Sequence, residues 1–201
     1  MATRRTYRMT ARAESARVTG ERIVRAVEEL FVERCYDELS LEQIAQRAGV
    51  TVQTLIRRFG SKEGLVAAAA ARITEAVVAQ RSQAPIGDVE GAVENLLEHY
   101  ESVGRLVLRL LQQEHVPTLA RIAEGGRKVH RRWVARTLGP LLSKLPVEER
   151  RMRLDQLTVL TDVYIWKLLR LDLGRSRAQV QKTLVDMLQR ASAESGQWRA
   201  C

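Results

Sequence analysis

The sequence predicts an all-α fold. Apolar residues recur at the helical spacings of three and four along most of the 201 residues. Residues that favour helices (Ala, Leu, Glu, Arg and Gln) dominate, whereas aromatic residues make up 4% and there are four prolines. Two capping boxes, Ser40 with Gln43 and Ser176 with Gln179, mark where helices begin. The length suits one domain, or a small domain joined to a larger one.

The N-terminal region combines a basic segment with the first helix. Residues 1–18 are expected to be disordered, or to become ordered only on a partner. A helix is expected from about Gly20 to Cys35, with an apolar face formed by Ile23, Val27, Leu30 and Phe31. Residues 1–25 contain seven arginines against two glutamates. The segment is either a tail that only aids solubility or an arm that contacts DNA through Arg4, Arg5, Arg8 and Arg12.

Residues 40–64 contain two short amphipathic helices separated by a glycine. Ser40 is the N-cap of the first, whose apolar stripe is formed by Leu41, Ile44, Ala45 and Ala48. Gly49 supplies the left-handed turn that ends this helix. Thr51 is the N-cap of the second, whose apolar face is formed at the same spacing by Val52, Leu55, Ile56 and Phe59. Together with the first helix, these faces would enclose a small core.

The outward face of the second short helix suits DNA. It is formed by four residues that can all hydrogen-bond and of which none is acidic: Gln53, Thr54, Arg57 and Arg58. A DNA major groove accepts a short helix of this kind when its apolar side is held by a partner. Base edges would be read by Gln53, Thr54 and Arg57. Candidates for phosphate contacts are Arg58, Lys62, Ser40 and Thr51.

The rest of the chain also predicts helices. Ser61 is an N-cap for a fourth helix that runs to about Gln80, and residues 84–87 then interrupt the chain. Apolar stripes predict further helices over residues 89–111, 117–138, 146–173 and 177–191. The helix that ends near residue 173 is apolar nearly all round in its second half, so it requires burial on every side. The last two helices are expected either to pair with a second chain across a two-fold axis or to pack within one chain.

Charge and cysteine content narrow the function classes. A formal net charge of +9 and a pI near 10.2 favour nucleic acid as a partner first and acidic membrane surfaces second. The only cysteines, Cys35 and Cys201, argue against a disulfide framework and suggest a cytoplasmic setting. We expect neither a signal peptide nor a membrane-spanning segment, because the longest apolar run is far too short.

The sequence offers no catalytic constellation. Its three histidines, His99, His115 and His130, are scattered without the spacing of metal ligands. It contains no glycine-rich phosphate loop and no nucleophile elbow. We therefore expect no enzyme, no catalytic residues, no metal and no cofactor.

The stretch from Gly20 to Leu65 resembles the DNA-binding domain of the TetR family of bacterial transcriptional regulators. The resemblance rests on FVERCY at 31–36, SLEQIA at 40–45, AGV at 48–50, LIRRF at 55–59 and SKEGL at 61–65. It covers about a quarter of the chain and is specific in order and spacing. The remainder agrees in helix number, helix length and overall size.

The resemblance implies a homodimer of about nine helices. The first three helices would bind DNA, and the fourth would link them to the rest of the chain. The fifth to seventh helices with parts of the eighth would enclose an effector pocket, and the last two helices would dimerise. Applied to this chain, it gives a disordered basic arm at 1–18, a helix-turn-helix domain at 19–65, a ligand-binding and dimerisation domain at 66–195, and a frayed tail at 196–201. Pocket candidates are large or polar residues on otherwise apolar helix faces: Tyr100, His130, Trp133, Tyr164 and Trp166.

Three positions depart from the family pattern. The family commonly has Gly where Cys35 stands, Tyr where Ile56 stands, and a small residue near Gln53. In many members that Tyr contacts the DNA backbone, so no phosphate contact is carried onto Ile56, which its spacing assigns to the core. The longer amide brings Gln53 within reach of an adenine edge.

These observations predict a ligand-responsive, sequence-specific repressor. It would act as a homodimer on a palindromic double-stranded DNA operator and be released by a small-molecule effector, with no membrane partner. An activator is one alternative. Another is an architectural protein that binds DNA without reading its sequence, although the long helical C-terminal half is not needed to coat DNA.

Overall fold

The computed structural model describes residues 2–193, with side chains from Glu14 to Ala193, and contains nine α-helices in that range. They are α1 (Ala2–Glu33), α2 (Leu41–Ala48), α3 (Val52–Phe59), α4 (Lys62–Arg81), α5 (Val89–Leu111), α6 (Pro117–Thr137), α7 (Val147–Leu160), α8 (Val163–Lys167) and α9 (Arg177–Ser192). Short 3-10 turns cover Tyr36–Glu38 and Gly139–Leu142, and a π-helical turn covers Leu168–Asp172. The described residues contain no strand, which confirms the predicted all-α class. The predicted frayed tail lies outside them.

The chain divides into two compact units. The first, here called the N-terminal unit, comprises the residues up to Ile73 together with His115–Thr118. The second, here called the body, comprises Thr74–Glu114 and the residues from Leu119 onward. Helix α4 contributes residues to both.

The N-terminal unit is built on the apolar faces of α1, α2 and α3. Each helix supplies one fully buried residue, Ile23, Ile44 and Leu55 respectively. The predicted core is confirmed at Ile23, Val27, Phe31, Ile44, Ala45 and Leu55, while Leu41, Val52 and Phe59 are half-buried at its edge. The predicted core residue Ile56 is not part of it.

The first helix begins earlier than the sequence predicts. Residues 1–18 were expected to be disordered or to become ordered only on a partner, whereas α1 begins at Ala2. Residues 1–18 contain no proline and no glycine, so no residue among them breaks a helix. Arg17 forms ion pairs with Glu14 and Glu21 at helical spacing. The basic segment is therefore an extension of the first helix.

The body buries one apolar core, in which α5 packs against α8 and α9, and α7 packs against α9. Leu96 and Leu97 of α5, Leu157 of α7 and Leu184 of α9 are buried there, and Trp133 of α6 joins them. Full burial of one leucine contributes roughly 1.5–3 kcal/mol relative to exposure, so this cluster stabilises the helical arrangement strongly.

The long helix predicted over residues 146–173 is two helices in the structure. Thr161 and Asp162 separate α7 from α8. Asp162 Oδ1 accepts the N–H of Tyr164 at 2.9 Å and so caps α8, while Thr161 Oγ1 donates to the carbonyl of Leu157 at 2.7 Å. Side-chain bonds of this kind compete with the helical backbone bonds, and apolar periodicity does not reveal them.

No helix among the described residues has both the length and the apolar character that crossing a membrane would require.

Two glycines in helices allow a direct test of packing in the body. A Cβ placed on Gly104 of α5 would lie 2.7 Å from Cζ3 of the buried Trp166 ring, whereas one on Gly125 of α6 would meet nothing within 4 Å. We expect Gly104→Ala to lower the free energy of unfolding by about 1–3 kcal/mol, because the packed ring cannot move aside freely. Gly125→Ala, the matched control, should raise it by about 0.5–1 kcal/mol through helix propensity. Urea unfolding measures both, and a stabilised Gly104→Ala variant would contradict this packing.

Candidate nucleic-acid interface and ligand site

Caps define both ends of α2. Ser40 Oγ accepts the N–H of Gln43 at 3.2 Å, and Gln43 Oε1 accepts the N–H of Ser40 at 3.0 Å, which confirms the predicted capping box. At the other end Gly49 has a φ of +63°, the left-handed conformation that favours glycine. The chain therefore turns from α2 towards α3 at one defined residue.

An arginine of α1 holds the carboxyl end of α2. Arg22 Nη2 donates to the carbonyl oxygens of Ala48 and Gly49, the latter at 3.0 Å. A Cβ on Gly49 would lie 2.5 Å from that nitrogen, so a side chain there would displace the end of the Arg22 side chain. Arg47 of α2 also pairs with Glu33 of α1 at 3.1 Å, and this hydrogen bond lowers the pKa of the Glu33 carboxyl. The two helices are thus joined by polar contacts as well as by their core.

Two threonine hydroxyls close the beginning of α3. Thr51 Oγ1 accepts the N–H of Thr54 at 3.2 Å, and the two hydroxyl oxygens are 2.9 Å apart. Thr51 is exposed and is the predicted N-cap, whereas Thr54 is half-buried. The side chain of Thr54 therefore takes part in capping α3 instead of standing free on its outward face.

Lys62 holds the turn between α1 and α2. Its Nζ donates to the carbonyls of Tyr36 and Leu39, both at 3.0 Å, and lies 4.3 Å from the centroid of the Tyr36 ring. The Tyr36 hydroxyl donates to Glu63 at 3.2 Å, and burial raises the pKa of this phenol to about 12. The ammonium predicted to reach a phosphate is engaged inside the N-terminal unit.

Arg58 is also held by the protein. Its Nη1 donates to the carbonyl of Ala16 in α1 at 3.0 Å, and its guanidinium carbon lies 5.7 Å from the centroid of the Phe59 ring. The side chain thus braces α3 against α1 while remaining exposed.

The outward stripe of α3 differs by one position from the predicted one. Ile56, which the sequence assigns to the core, is 48% exposed. Only Leu55 of this eight-residue helix is fully buried, so its neighbours cover one row of side chains, and Ile56 lies about 100° further round. Gln53, Ile56 and Arg57 then share one exposed face at spacings i, i+3 and i+4.

The side chains of the two polar members of this stripe, Gln53 and Arg57, have no hydrogen-bond partner among residues 14–193. Their donors and acceptors are available to a ligand. The departure from the Tyr that the family has at position 56 was the signal that could have placed Ile56 outside the core.

The side chains of the predicted arm residues Arg4, Arg5, Arg8 and Arg12 lie outside those that the structure describes. The backbone that carries them belongs to α1.

Three of the five predicted ligand-pocket residues meet around a residue that the sequence did not single out. Arg81, the last residue of α4, is only 3% exposed. Its guanidinium carbon lies 5.4 Å from the ring centroid of Tyr100 and 4.8 Å from that of Trp133. Its Nη1 lies 2.9 Å from Nδ1 of His130. We call Arg81, His99, Tyr100, His130, Trp133 and Thr161 the Arg81 cluster.

Of the other two predicted pocket residues, one lies beside the Arg81 cluster and the other does not. Trp166 is buried, with its ring centroid 5.8 Å from that of Tyr100, and so lies beside the Arg81 cluster. Tyr164 is 52% exposed and does not join it. Sequence reasoning missed Arg81, because arginine is rarely buried and no pattern around it indicates burial.

Among the described residues no group of His, Cys, Asp and Glu is arranged to hold a metal ion.

A known family matches the part of the chain that contains α2 and α3. Residues 23–69 match the family model described as bacterial regulatory proteins, tetR family. This range contains α2 and α3 and the parts of α1 and α4 that flank them. No curated protein sequence matches that of this chain.

Solved structures share the fold over most of the chain. A transcriptional regulator from Rhodococcus sp. Rha1 is 18% identical with a TM-score of 0.67, over 86% of this chain and 95% of that one. A tetR-family transcriptional regulator from Streptomyces coelicolor is 22% identical with a TM-score of 0.65, over 87% and 82%. The flavonoid-responsive regulator FrrA is 20% identical with a TM-score of 0.59, over 90% and 98%.

We expect Lys62→Met to lower the free energy of unfolding by about 1–3 kcal/mol. The carbonyls of Tyr36 and Leu39 lose the ammonium donor, although Tyr36 O still accepts the N–H of Leu39, and the Tyr36 ring loses its cation. Methionine keeps most of the apolar stem. Lys144→Met, at an exposed lysine in the turn before α7, is the control and should change stability by less than about 0.5 kcal/mol. Chemical denaturation measures both variants. An unchanged midpoint in Lys62→Met would show that these contacts do not stabilise the fold.

Proposed function

We propose that this chain is a DNA-binding transcriptional repressor of the TetR family and that a small molecule releases it from DNA. The proposal is supported by the match of residues 23–69 to the tetR family model and by the fold shared with solved regulators. In this proposal a homodimer binds a palindromic operator, with one α3 from each protomer in successive major grooves. A ligand bound in the body would favour a conformation in which the two α3 helices no longer fit that spacing.

The observation that carries the proposal is the exposed stripe of Gln53, Ile56 and Arg57 on α3. The Gln53 amide can donate and accept on an adenine edge, and the Arg57 guanidinium can donate twice to a guanine. Ile56 can pack against the methyl group of a thymine. These three chemistries distinguish base pairs, which a merely basic surface cannot do.

Two of the residues first considered for phosphate contacts are better assigned to positioning. Lys62 and Arg58 donate to backbone carbonyls of the N-terminal unit, and these bonds set how α3 is presented. Phosphate contacts are assigned to Ser40 and Thr51, at the helix N-termini. The arm residues Arg4, Arg5, Arg8 and Arg12 are assigned to the backbone or an adjacent minor groove.

The dimer interface is proposed on α7 and α8 together with α9. The apolar stripe of α9, formed by Val180, Leu184 and Leu188, is already buried within the body. Apolar side chains that remain exposed lie instead on α7, where Met152 is 51% exposed and Val159 60%. These two are seven residues apart and share one face of α7. An exposed apolar surface of this kind is what a second copy would cover.

Response to a small molecule is supported by the Arg81 cluster and by one structural relative. The relative is described as flavonoid-responsive, and its fold matches this chain over both units. The cluster offers aromatic faces and polar groups inside the body, the combination that ligand sites commonly show.

Architectural binding without sequence readout is the second candidate, because a net charge of +9 attracts any DNA. Competition with random DNA separates the two: the proposed repressor keeps its preferred fragments, whereas an architectural protein loses them. An activator would bind the same fragments but raise expression of the adjacent gene in a reporter assay.

The base-reading assignment predicts a large effect of Arg57→Ala. Genomic fragments selected by the wild-type protein provide the operator, and anisotropy at one fixed salt concentration provides the affinity. We expect a loss of about tenfold or more, because a bidentate arginine–guanine pair contributes about 1–3 kcal/mol and 1.4 kcal/mol is tenfold. Arg132→Ala is the matched control, since it removes the same charge from an exposed position of α6. Equal losses in the two variants would mean that only total charge matters.

The interface assignment predicts that Val159→Glu yields a monomer. Burying a carboxylate at the centre of the proposed apolar contact is costly without a partner charge. Val147→Glu, at the exposed start of α7 on another face, should leave the dimer intact. Sedimentation velocity measures the state of both variants and of the wild type. A monomeric wild type, or a dimeric Val159→Glu variant, would contradict the assignment.

A further inference from the structure

Arg81 is a buried cation without an anionic partner. It is 3% exposed, and among residues 14–193 no carboxylate forms an ion pair with it. Its Nε is buried and has no hydrogen-bond acceptor. Arginine and lysine are seldom fully buried unless they are paired, so the usual counterpart of such a group is missing from the protein itself.

A chain of hydrogen bonds runs from Arg81 through His130 to Thr161. Because a guanidinium only donates, Nδ1 of His130 must accept from Nη1 at 2.9 Å, and its proton resides on Nε2. Nε2 then donates to Thr161 Oγ1 at 3.2 Å, and that hydroxyl donates to the carbonyl of Leu157. The Tyr100 hydroxyl donates to the carbonyl of Thr161 at 2.8 Å. Arg81 is thereby connected to the junction between α7 and α8.

Both imidazoles of the cluster are neutral. Burial first, and the charge of Arg81 second, lower the pKa of His130 to about 4 and that of His99 to about 3. Arg131 also faces His130, and Asp162 faces Tyr100 as the N-cap of α8. Neutral imidazoles and aromatic faces solvate a guanidinium only in part, because a cation over a ring gains about 2 kcal/mol even when desolvated. Burial of an unpaired ion costs more than that.

We propose that Arg81 binds the carboxylate of a small organic acid and that this acid is the effector. The inference rests on the ligand response proposed above and names the class of ligand. A carboxylate matches the planar fork of the guanidinium and would accept from the buried Nε. The rings of Tyr100, Trp133 and Trp166 fit an aromatic or aliphatic remainder of the acid rather than a second charged group.

This surrounding also favours a carboxylate over a phosphate. A doubly charged anion would require more donors than one arginine and two neutral histidines supply, and its dehydration would cost more. His130 is half-buried whereas Arg81, Tyr100 and Trp133 are buried, so the cluster meets solvent on the side of His130. An acid that enters there would compete with His130 for Nη1 and so reach the bonds to Thr161.

The test uses the full-length protein and pairs of probes that differ only in charge. The pairs are benzoate with benzamide, phenylacetate with phenylacetamide, and octanoate with octanamide, and inorganic phosphate is a separate probe. Tryptophan fluorescence reports binding, since Trp133 Nε1 donates to the Arg81 carbonyl at 3.1 Å. We expect at least one acid to bind about tenfold or more tightly than its amide. We also expect NMR titration to show a raised His130 pKa in that complex.

Arg81→Met should remove the preference for the acid, whereas Arg132→Met, which removes an exposed arginine of α6, should leave it unchanged. The proposal is overturned if no acid binds more tightly than its amide, if phosphate binds as tightly as the acids, or if Arg81→Met retains the preference. Should Arg81→Met fail to fold, the acid–amide comparison and the His130 titration in the wild type still decide.

Binding of the selected genomic fragments separates this inference from the function on which it rests. If an acid binds only when Arg81 is present but does not change the affinity for DNA, the carboxylate site stands and the proposed release by a ligand is wrong. If the amides release DNA and the acids do not, the protein responds to a ligand as proposed, but the carboxylate site is wrong.

Discussion

The presentation of α3 depends on the contact between Arg22 and the carboxyl end of α2. The guanidinium donates to the Ala48 and Gly49 carbonyls, and the positive φ of Gly49 turns the chain into the next helix. One glycine therefore supplies the backbone conformation of the turn and also a carbonyl that accepts from α1. The caps at Ser40 and Thr51, and the bonds of Lys62 and Arg58, stabilise the same geometry together with this contact.

Several cationic side chains near α3 and in the body are used within the fold. Arg22, Arg58 and Lys62 donate to backbone carbonyls, and Arg81 is buried among rings. Of these acceptors, the Ala48 and Gly49 carbonyls lie at the carboxyl end of α2, where backbone donors run out and a long cationic side chain can replace them. Net charge therefore overstates the charge that DNA can meet, and the residues that remain available on α3 are few. The few side chains of the α3 stripe that remain available are therefore the strongest candidates for contacts with DNA.

The sequence was sufficient for features that are local. The all-α class, the capping box at Ser40 and the turn at Gly49 follow from residues within one or two turns of helix, and the structure confirms them. It was insufficient where neighbours decide. Periodicity places Leu55 and Ile56 on adjacent rows of α3 but does not say which row α1 and α2 cover. The burial of Arg81 arises from residues 19 to 80 positions away in sequence, which no local pattern reports.

The exposed isoleucine on α3 has a chemical consequence for the DNA that is read. If Ile56 packs against a thymine methyl, the same contact accepts any pyrimidine that carries a methyl group at C5, and 5-methylcytosine presents that group in the same groove. The hypothesis makes binding sensitive to DNA modification as well as to base sequence. Replacement of the contacted thymine by uracil would then weaken the complex, and equal affinity for the two bases would reject the contact.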